Sequence, residues 1–479
     1  MCLLNVKMKI NLLNGSLTYG TVTIFSRIAA IILMPILTRI LSPEEYGTLS
    51  IALTLVLLAN AVVTLEVAQG VTVRFAVSNS GDRKLYPSTA IRFMLIMYLI
   101  LFVVINIFGN MISRLVFSES IGSSILIAGT LLVVANGIFL LMQNQFRLEL
   151  LSRDYAILTL SYVLLTSIGA ISGAVFFQLP TVGIILGQAG GAALVDVVGI
   201  FMLRNTFSGG FHTDKLKEML KYSLPVVPAG LLLLGGQQAQ KFILSKYGSL
   251  EDVGIYGLAY QIAGFSALAV LGVQTAITPS VLAHHDDAET PKMLGRLFER
   301  FATVALILCA FLSVFSKELV TIFSAASYRR AEEFVPYLAF AIALNCFYIF
   351  FPGKLIRAKS AAQLIASSAS FLIAVSTGFL LIKFDGVRGA ALSTLLSSAT
   401  FFFIWYYTSQ RLYRVPVDWM RLLKSTAWVA VACYVGIFII PTSNIFFSFA
   451  IKSGLMLILF CVVARDYFFE WWKRPVSQP

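Results

Sequence analysis

Charged residues are scarce in this sequence. They make up 12% of its 479 residues, while 58% are hydrophobic, whereas a soluble domain typically has about a quarter of its residues charged. A soluble fold has no interior large enough for so much apolar surface, so a soluble globular protein is excluded. A lipid bilayer supplies a second apolar phase, and about 20 apolar residues cross it as a helix.

Cysteine and histidine are also rare, with five and three residues. Four of the cysteines fall inside apolar segments, and none shows the spacing of a disulfide framework or a metal site. The pair His284-His285 lies in a polar break without the helical spacing of metal ligands. Phosphate-binding loops, nucleophile elbows and zinc motifs are missing too. We therefore expect no metal, no cofactor and no enzymatic activity.

Long polar stretches are lacking as well, since the breaks between apolar segments are too short for an independent folded domain. Apolar segments at membrane depth must be helical, because a lone strand would leave its backbone polar groups unpaired in lipid. The sequence thus predicts an all-α polytopic membrane protein with about 14 transmembrane helices. The predicted spans are 12–38, 46–73, 89–112, 120–143, 155–178, 181–204, 222–245, 253–280, 297–323, 331–352, 361–383, 386–409, 422–441 and 445–467.

The formal net charge is +13, and its distribution indicates orientation. With an even number of spans both termini lie on one side, and that side carries 25 Lys and Arg residues against 9 on the other. Because cytoplasmic loops are enriched in Lys and Arg, both termini are predicted to be cytoplasmic. The basic residues sit at span ends and form no aromatic-interleaved patch, so no nucleic-acid partner is expected.

The chain also contains an internal repeat. Seven of the eleven residues from Leu37 to Gly47 recur, unchanged or with a conservative change, from Leu244 to Gly254, a shift of 207 residues. The copies are six predicted spans apart and share one topology, which indicates a duplication about an axis along the membrane normal. We predict two pseudo-symmetric six-helix lobes, residues 1–205 and 206–412, followed by two additional helices and a cytoplasmic tail, residues 413–479.

Four charged residues lie deep in predicted spans. Arg27 and Lys241 are candidate substrate-binding cations for an anionic group such as a diphosphate. An ion pair between Arg27 and Glu66, and snorkelling of Lys241 toward the surface, are the structural alternatives. Glu66 and Asp196 are candidate ion-coupling acids, with helix pairing as the alternative.

Polar side chains near these charges extend the candidate site. Gln237 and Gln240 share a helix face with Lys241, and amides suit sugar recognition, although interhelical hydrogen bonding explains them equally well. Cations at cytoplasmic span ends either draw in an anionic head group or anchor the spans. Three arginines of this kind complete the set of candidate substrate-binding residues: Arg74, Arg147 and Arg357.

The segment Leu37–Gly47, which reads Leu-Thr-Arg-Ile-Leu-Ser-Pro-Glu-Glu-Tyr-Gly, resembles a characteristic stretch of bacterial polysaccharide flippases of the Wzx type. These belong to the MATE-like MOP exporter superfamily, which includes the MATE drug exporters and the lipid II flippases. The segments Tyr222–Pro225, Gly254–Tyr256 and Gly386–Ala390 agree, and the resemblance covers nearly the whole chain. Many relatives have an acid before the cation in span 7, where this chain has Gln240.

The resemblance implies translocation of an undecaprenyl-diphosphate-linked oligosaccharide repeat unit from the cytoplasmic to the outer leaflet of the bacterial inner membrane. Alternating access coupled to an ion gradient is the implied mechanism, and O-antigen, capsule or exopolysaccharide the implied product. Implied partners are membrane lipids, the lipid-linked oligosaccharide, and polysaccharide polymerase and chain-length proteins. The alternatives are a lipid II flippase and a MATE-like cation-coupled drug exporter. In a drug exporter of that kind, deep acids are expected to outnumber deep cations.

Overall fold

The computed structural model describes residues 21–22, 25–26, 29, 32–78, 82–117, 123–268, 281, 287, 289–353, 360–440 and 445–472. Two candidate site residues, Arg27 and Arg357, lie outside these ranges, as do His284 and His285. Every regular element within the ranges is helical.

Long apolar helices dominate the described residues. Eight of them are long and apolar enough to cross a membrane, and ten if each of two bent helix pairs is a single span. These helices confirm the all-α, multi-pass membrane fold that the apolar segments predict. The number of fourteen spans stays a prediction.

The chain divides into two compact units. One consists of Met1–Gly257, Phe323–Ser327 and Gln363–Ala390; the other consists of Leu258–Ile322, Tyr328–Ala362 and Ala391–Pro479. The division of the sequence into lobes at residues 205 and 412 stays a prediction.

Besides helical residues 32–40 and 363–390, the first unit contains helices that begin between residues 43 and 250. They are α1 (Pro43–Thr64), α2 (Val67–Val77), α3 (Leu85–Phe117), α4 (Ser123–Leu148), α5 (Ser152–Phe176), α6 (Pro180–Met202), α7 (Thr213–Ser223), α8 (Val227–Tyr247) and the start of α9 (Leu250–Ala263). Helix α1 starts sharply because Ser42 and Glu45 form a capping box, each side chain accepting from the other's backbone N–H. Pro43 occupies the first helical position, where no backbone donor is needed.

The second unit contains the helices of the C-terminal half. They are α10 (Thr290–Val314), α11 (Ser316–Phe323), α12 (Val335–Cys346), the later part of α13 (Ser360–Gln410), α14 (Trp419–Tyr434) and α15 (Ile445–Trp472). Val429 of α14 and Leu459 of α15 share an apolar cluster with Ala310 of α10. A buried ion pair of 2.7 Å joins Lys452 Nζ to a Glu318 carboxylate oxygen. Both C-terminal helices therefore pack within this unit, and α15 is also ion-paired to α11.

The two copies of the internal repeat contact each other. A Cβ atom placed on Gly47 would lie 1.9 Å from the carbonyl oxygen of Leu250, and one placed on Gly254 would lie 1.9 Å from that of Pro43. Each contact is the image of the other under the 207-residue shift. This reciprocity is what a local two-fold relation between duplicated segments requires, and it explains why both copies have glycine at this position.

Helices α5 and α6 pack through glycine. A Cβ atom on Gly187 would lie 1.9 Å from the carbonyl oxygen of Gly169, and one on Gly173 would lie 1.9 Å from that of Gly183. Both helices carry glycine at intervals of four residues, so their backbones approach without intervening side chains. Glycine lets van der Waals packing hold these two helices together within lipid.

Gly187→Val is expected to destabilise the first unit by about 1–3 kcal/mol, because the new side chain meets backbone that cannot move aside. Gly190→Val is the matched control, since a Cβ atom on Gly190 meets nothing within 4 Å. Thermal unfolding of the two purified variants in one detergent measures the difference. Equal melting temperatures would contradict the packing.

Candidate functional site

The span predicted over residues 46–73 is broken in the structure. Helix α1 ends at Thr64, α2 begins at Val67, and the two residues between them, Leu65 and Glu66, have φ values of 46° and 53°. Left-handed backbone costs a residue with a side chain about 1–2 kcal/mol. Irregular backbone at membrane depth is tolerated where it lines a cavity or is buried in protein. A break at this depth therefore indicates that a cavity or a protein contact lies beside it.

A cavity of about 970 Å³ lies beside this break, entirely within the first unit. Its walls come from α1 to α5, with Tyr222 and Leu234 closing one side. Polar lining residues alternate with leucine, valine and methionine. The neutral polar side chains are those of Asn60, Thr64, Gln69, Thr72, Asn136, Gln143, Asn144, Tyr162 and Tyr222. Amides and hydroxyls of this kind both donate and accept hydrogen bonds, as sugar hydroxyls do.

Two of the lining residues are charged, and both are in the predicted set. Arg147 is exposed to the cavity, and its Nη2 donates to Asn144 Oδ1 over 2.7 Å. Glu66 follows the left-handed Leu65 and accepts from Gln69 Nε2 over 3.0 Å. Among the described residues neither charge has an ion-pair partner. The cavity thus offers one cation whose remaining donors are available, and one carboxylate.

Asn144 connects Arg147 to the short helix α2. Its Nδ2 donates to the carbonyl oxygen of Ala68 over 3.2 Å and to Thr72 Oγ1 over 2.9 Å. The Thr72 hydroxyl in turn donates to the same Ala68 oxygen over 3.0 Å. Donors and acceptor of the Asn144 amide are all engaged, and the side chain is 8% exposed. Its orientation is therefore fixed by its partners.

Asp196 lies behind the cavity wall. Its side chain is 5% exposed, and its Oδ1 has no hydrogen-bond partner among the described residues. The carboxyl interacts electrostatically with the phenols of Tyr98 and Tyr162, and the Tyr162 hydroxyl donates to Asn136 Oδ1 in the cavity lining. The Tyr98 hydroxyl fits only because residue 137 is glycine, where a Cβ atom would lie 1.6 Å from that oxygen. The Tyr162 phenol, which lines the cavity, thus interacts with both the buried acid and Asn136.

Lys241 belongs to a separate polar cluster. Its Nζ donates to Thr54 Oγ1 over 3.2 Å, and the Thr54 hydroxyl lies 3.4 Å from Gln238 Oε1. Gln240 is fully buried and donates to the carbonyl oxygen of Ala374 over 3.3 Å. These residues join α8 to α1 and α13 and lie outside the cavity lining.

Two further predicted residues also lie outside the lining. Gln237 is half-buried on α8, and Arg74 is half-buried in the last turn of α2 with its Nε unpartnered among the described residues. The structure therefore brings Glu66 and Arg147 to one cavity, places Asp196 behind its wall, and leaves the other described candidates elsewhere.

The amides of α4 were missed by the sequence reasoning, although a signal for them exists. Asn136, Gln143, Asn144 and Arg147 recur at intervals of seven, one and three residues within an apolar span. That spacing puts all four on one helix face. A polar face on a membrane helix points to a cavity or to another helix.

The sequence and the fold each match known proteins. A family described as polysaccharide biosynthesis protein matches residues 36–333. No curated protein matches the sequence. The fold is similar to the lipid II flippase MurJ in an inward closed conformation, with 13% identity, a TM-score of 0.71, and coverage of 94% of this chain and 99% of MurJ.

Two other transporters of the MOP superfamily have a similar fold. An inward-facing multidrug resistance MATE transporter is 15% identical with a TM-score of 0.66, covering 83% of this chain and 95% of that one. A transporter from Pyrococcus furiosus, described as having a binding pocket of reversed polarity, is 13% identical with a TM-score of 0.57, covering 84% and 94%. At these identities the likeness establishes the fold.

Proposed function

We propose that this chain, which belongs to the polysaccharide biosynthesis protein family, is a flippase for a lipid-linked oligosaccharide. It moves an undecaprenyl-diphosphate-linked repeat unit from the cytoplasmic to the outer leaflet of the bacterial inner membrane. The lipid tail stays in hydrocarbon while the sugar head crosses. No covalent bond is made or broken.

The lining of the cavity beside the α1–α2 break carries this proposal. A sugar hydroxyl moved into hydrocarbon without a hydrogen-bond partner costs several kcal/mol, so an oligosaccharide does not cross a bilayer unaided. Nine neutral polar side chains and the exposed Arg147 replace the water that the sugar head gives up. A volume of about 970 Å³ is at the upper end of small-molecule sites and holds part of an oligosaccharide at a time.

Arg147 is the residue we assign to the anionic part of the substrate. Guanidinium groups bind phosphate oxygens through two parallel hydrogen bonds, and these charge-assisted bonds are stronger than neutral ones. Its bond to Asn144 uses one donor and fixes the plane of the group. The remaining donors can hold one phosphate of the diphosphate linkage.

Asp196 is the residue we assign to ion coupling. A buried carboxyl with an unpartnered oxygen favours binding of a proton or a small cation, because either one offsets the cost of burying the charge. Through Tyr162 and Asn136 the state of this carboxyl influences the cavity wall. Glu66, which lines the cavity directly, is the second acid we assign to this role.

The experiment that tests the function uses cells lacking the gene. Their lipids are extracted and the undecaprenyl-linked oligosaccharides are quantified, together with surface polysaccharide. Accumulation of a complete repeat unit with loss of surface polysaccharide, both reversed by the intact gene, is expected of a flippase. An unchanged lipid pool with normal surface polysaccharide would reject the proposal, and altered resistance to cationic dyes would then indicate a drug exporter.

A further inference from the structure

Among the described residues, Asn144 links the cavity cation to the helix after the break: it accepts from Arg147 on α4 and donates to the Ala68 carbonyl and the Thr72 hydroxyl on α2. We propose that Asn144 is a positioning residue that couples anion binding at Arg147 to the position of α2. The inference rests on the proposed function to the extent that Arg147 is taken as the anion-binding group. It adds a route by which an occupied cavity changes the protein.

The geometry of the amide makes the coupling directional. Oδ1 faces the guanidinium and Nδ2 faces α2, so rotating the amide by half a turn would place an N–H against a cation and an oxygen against the Ala68 carbonyl. Both of these contacts would be repulsive. The amide therefore keeps Arg147 oriented only while α2 stays in place to accept its two hydrogen bonds.

Helix α2 is a short segment separated from α1 by the break. It has 11 residues, and the left-handed residues Leu65 and Glu66 interrupt its hydrogen bonding to α1. On another side it packs against α7, where a Cβ atom on Gly70 would lie 2.9 Å from Met219 Cβ. Helix α7 leads into α8 through a bend of 52°. A shift of α2 is thus passed to α7, which connects directly to α8.

Helix α7 is itself fixed to the start of α3. Lys215 Nζ forms a 3.0 Å ion pair with Asp82, and the Tyr86 hydroxyl donates to Glu218 over 2.8 Å. These contacts limit α7 to small displacements and make its packing against α2 specific. The arrangement from Arg147 through Asn144 to α2 and α7 is continuous within the first unit.

Linkage gives the sign of the effect. An anion on the free donors of Arg147 binds best when Asn144 holds the guanidinium, and Asn144 holds it best when α2 is docked. Binding must then stabilise the docked α2, and loosening α2 must weaken binding by the same factor. A residue with a purely structural role would not show this reciprocity.

The test uses the full-length chain purified in detergent, with inorganic pyrophosphate as the probe. Two quantities are measured: the dissociation constant of pyrophosphate, and hydrogen exchange of the α2 backbone amides with and without it. In the unmodified chain pyrophosphate is expected to slow α2 exchange. In Arg147→Gln both the binding and the protection are expected to disappear.

Asn144→Asp keeps the size of the side chain but pairs Arg147 with a carboxylate that cannot donate to Ala68. It is expected to weaken pyrophosphate binding about tenfold or more and to speed α2 exchange even without the probe. Thr72→Val leaves Arg147 and Asn144 in place while removing one acceptor on α2. It is expected to weaken binding about threefold and to abolish most of the protection.

Thr130→Val is the matched control for Thr72→Val. Thr130 lies on α4, as Asn144 does, but its hydroxyl donates to the Leu126 carbonyl oxygen of its own helix over 2.9 Å, and it does not line the cavity. Protection of α2 by pyrophosphate is expected to persist in this variant. Binding to the unmodified chain without any change in α2 exchange would overturn the coupling, and so would full protection in Thr72→Val.

Failure of pyrophosphate to bind the unmodified chain would overturn the coupling in another way, because it would remove Arg147 as the anion site. The flippase function would still stand or fall separately, on the accumulation of lipid-linked oligosaccharide in cells lacking the gene.

Discussion

Replacing Arg147 with glutamine is expected to reduce polysaccharide export about tenfold to a hundredfold. Hydrogen bonds to a charged group contribute about 1.5–3 kcal/mol, and a loss of that size in substrate binding corresponds to this range. Arg147→Lys is expected to retain part of the export, because lysine keeps the charge but loses the two-point geometry. Surface polysaccharide and the pool of lipid-linked oligosaccharide, measured in complemented cells, report the effect.

Arg153→Gln is the matched control for this experiment. Arg153 is an exposed arginine only six residues further along the chain, and it does not line the cavity. Export by this variant is expected to match that of the unmodified protein at equal membrane levels. Normal export by Arg147→Gln, or an equal loss in both variants, would mean that the cavity cation does not hold the substrate.

Asp196→Asn is expected to abolish the dependence of transport on an ion gradient while making the protein more stable. An amide keeps the shape of the carboxyl but cannot take up a proton and binds a cation only weakly. It also supplies donors for the neighbouring phenols, including the Tyr98 hydroxyl, which has no partner among the described residues. Removing one unsatisfied buried acceptor is expected to stabilise the fold by about 1–3 kcal/mol.

Asp196→Asn is thus expected to raise stability while it lowers gradient-dependent transport. A substitution that merely damages the fold would lower both. Transport by purified protein in vesicles with an imposed proton or sodium gradient, together with thermal unfolding, gives the two readouts. Asp385→Asn is the control, since Asp385 is exposed and only loosely paired with Arg388 at 3.9 Å. Gradient-dependent transport that survives in Asp196→Asn would exclude this residue as the coupling acid.

The membrane fold and several of its local details could be predicted from the sequence, because they depend on nearby residues. Apolar length alone indicates helices that cross a bilayer. The Ser-Pro-Glu-Glu run starting at Ser42 specifies the start of α1, since its side chains cap their own helix. The 207-residue repeat anticipates the reciprocal contact of Gly47 and Gly254, because duplicated segments related by a two-fold axis meet as images.

The break between α1 and α2 could not be predicted in the same way. Residues Leu65 and Glu66 are good helix formers, and neither glycine nor proline marks the position. The residues that follow the break contact distant parts of the chain, as Ala68 does with Asn144. Local sequence preference carries no information about contacts between residues so far apart.

The candidate site was predicted in part. Depth in the membrane identified Glu66, Asp196 and Lys241, since a buried charge is costly wherever it lies. Depth does not show which charges share a cavity, and the structure groups Glu66 with Arg147 and leaves Lys241 beside Thr54. Arg147 sits at a predicted span end, where anchoring and substrate binding give the same pattern.

Transport by the purified chain tests the central claim most directly. Lipid-linked oligosaccharide extracted from cells that lack the gene is placed in vesicles with and without the protein, and a membrane-impermeant glycosidase is added outside. The account predicts that the protected fraction, about half in empty vesicles, becomes accessible when the protein is present and stays protected with Arg147→Gln. Protection that is the same with and without the protein, under every imposed ion gradient, would contradict it.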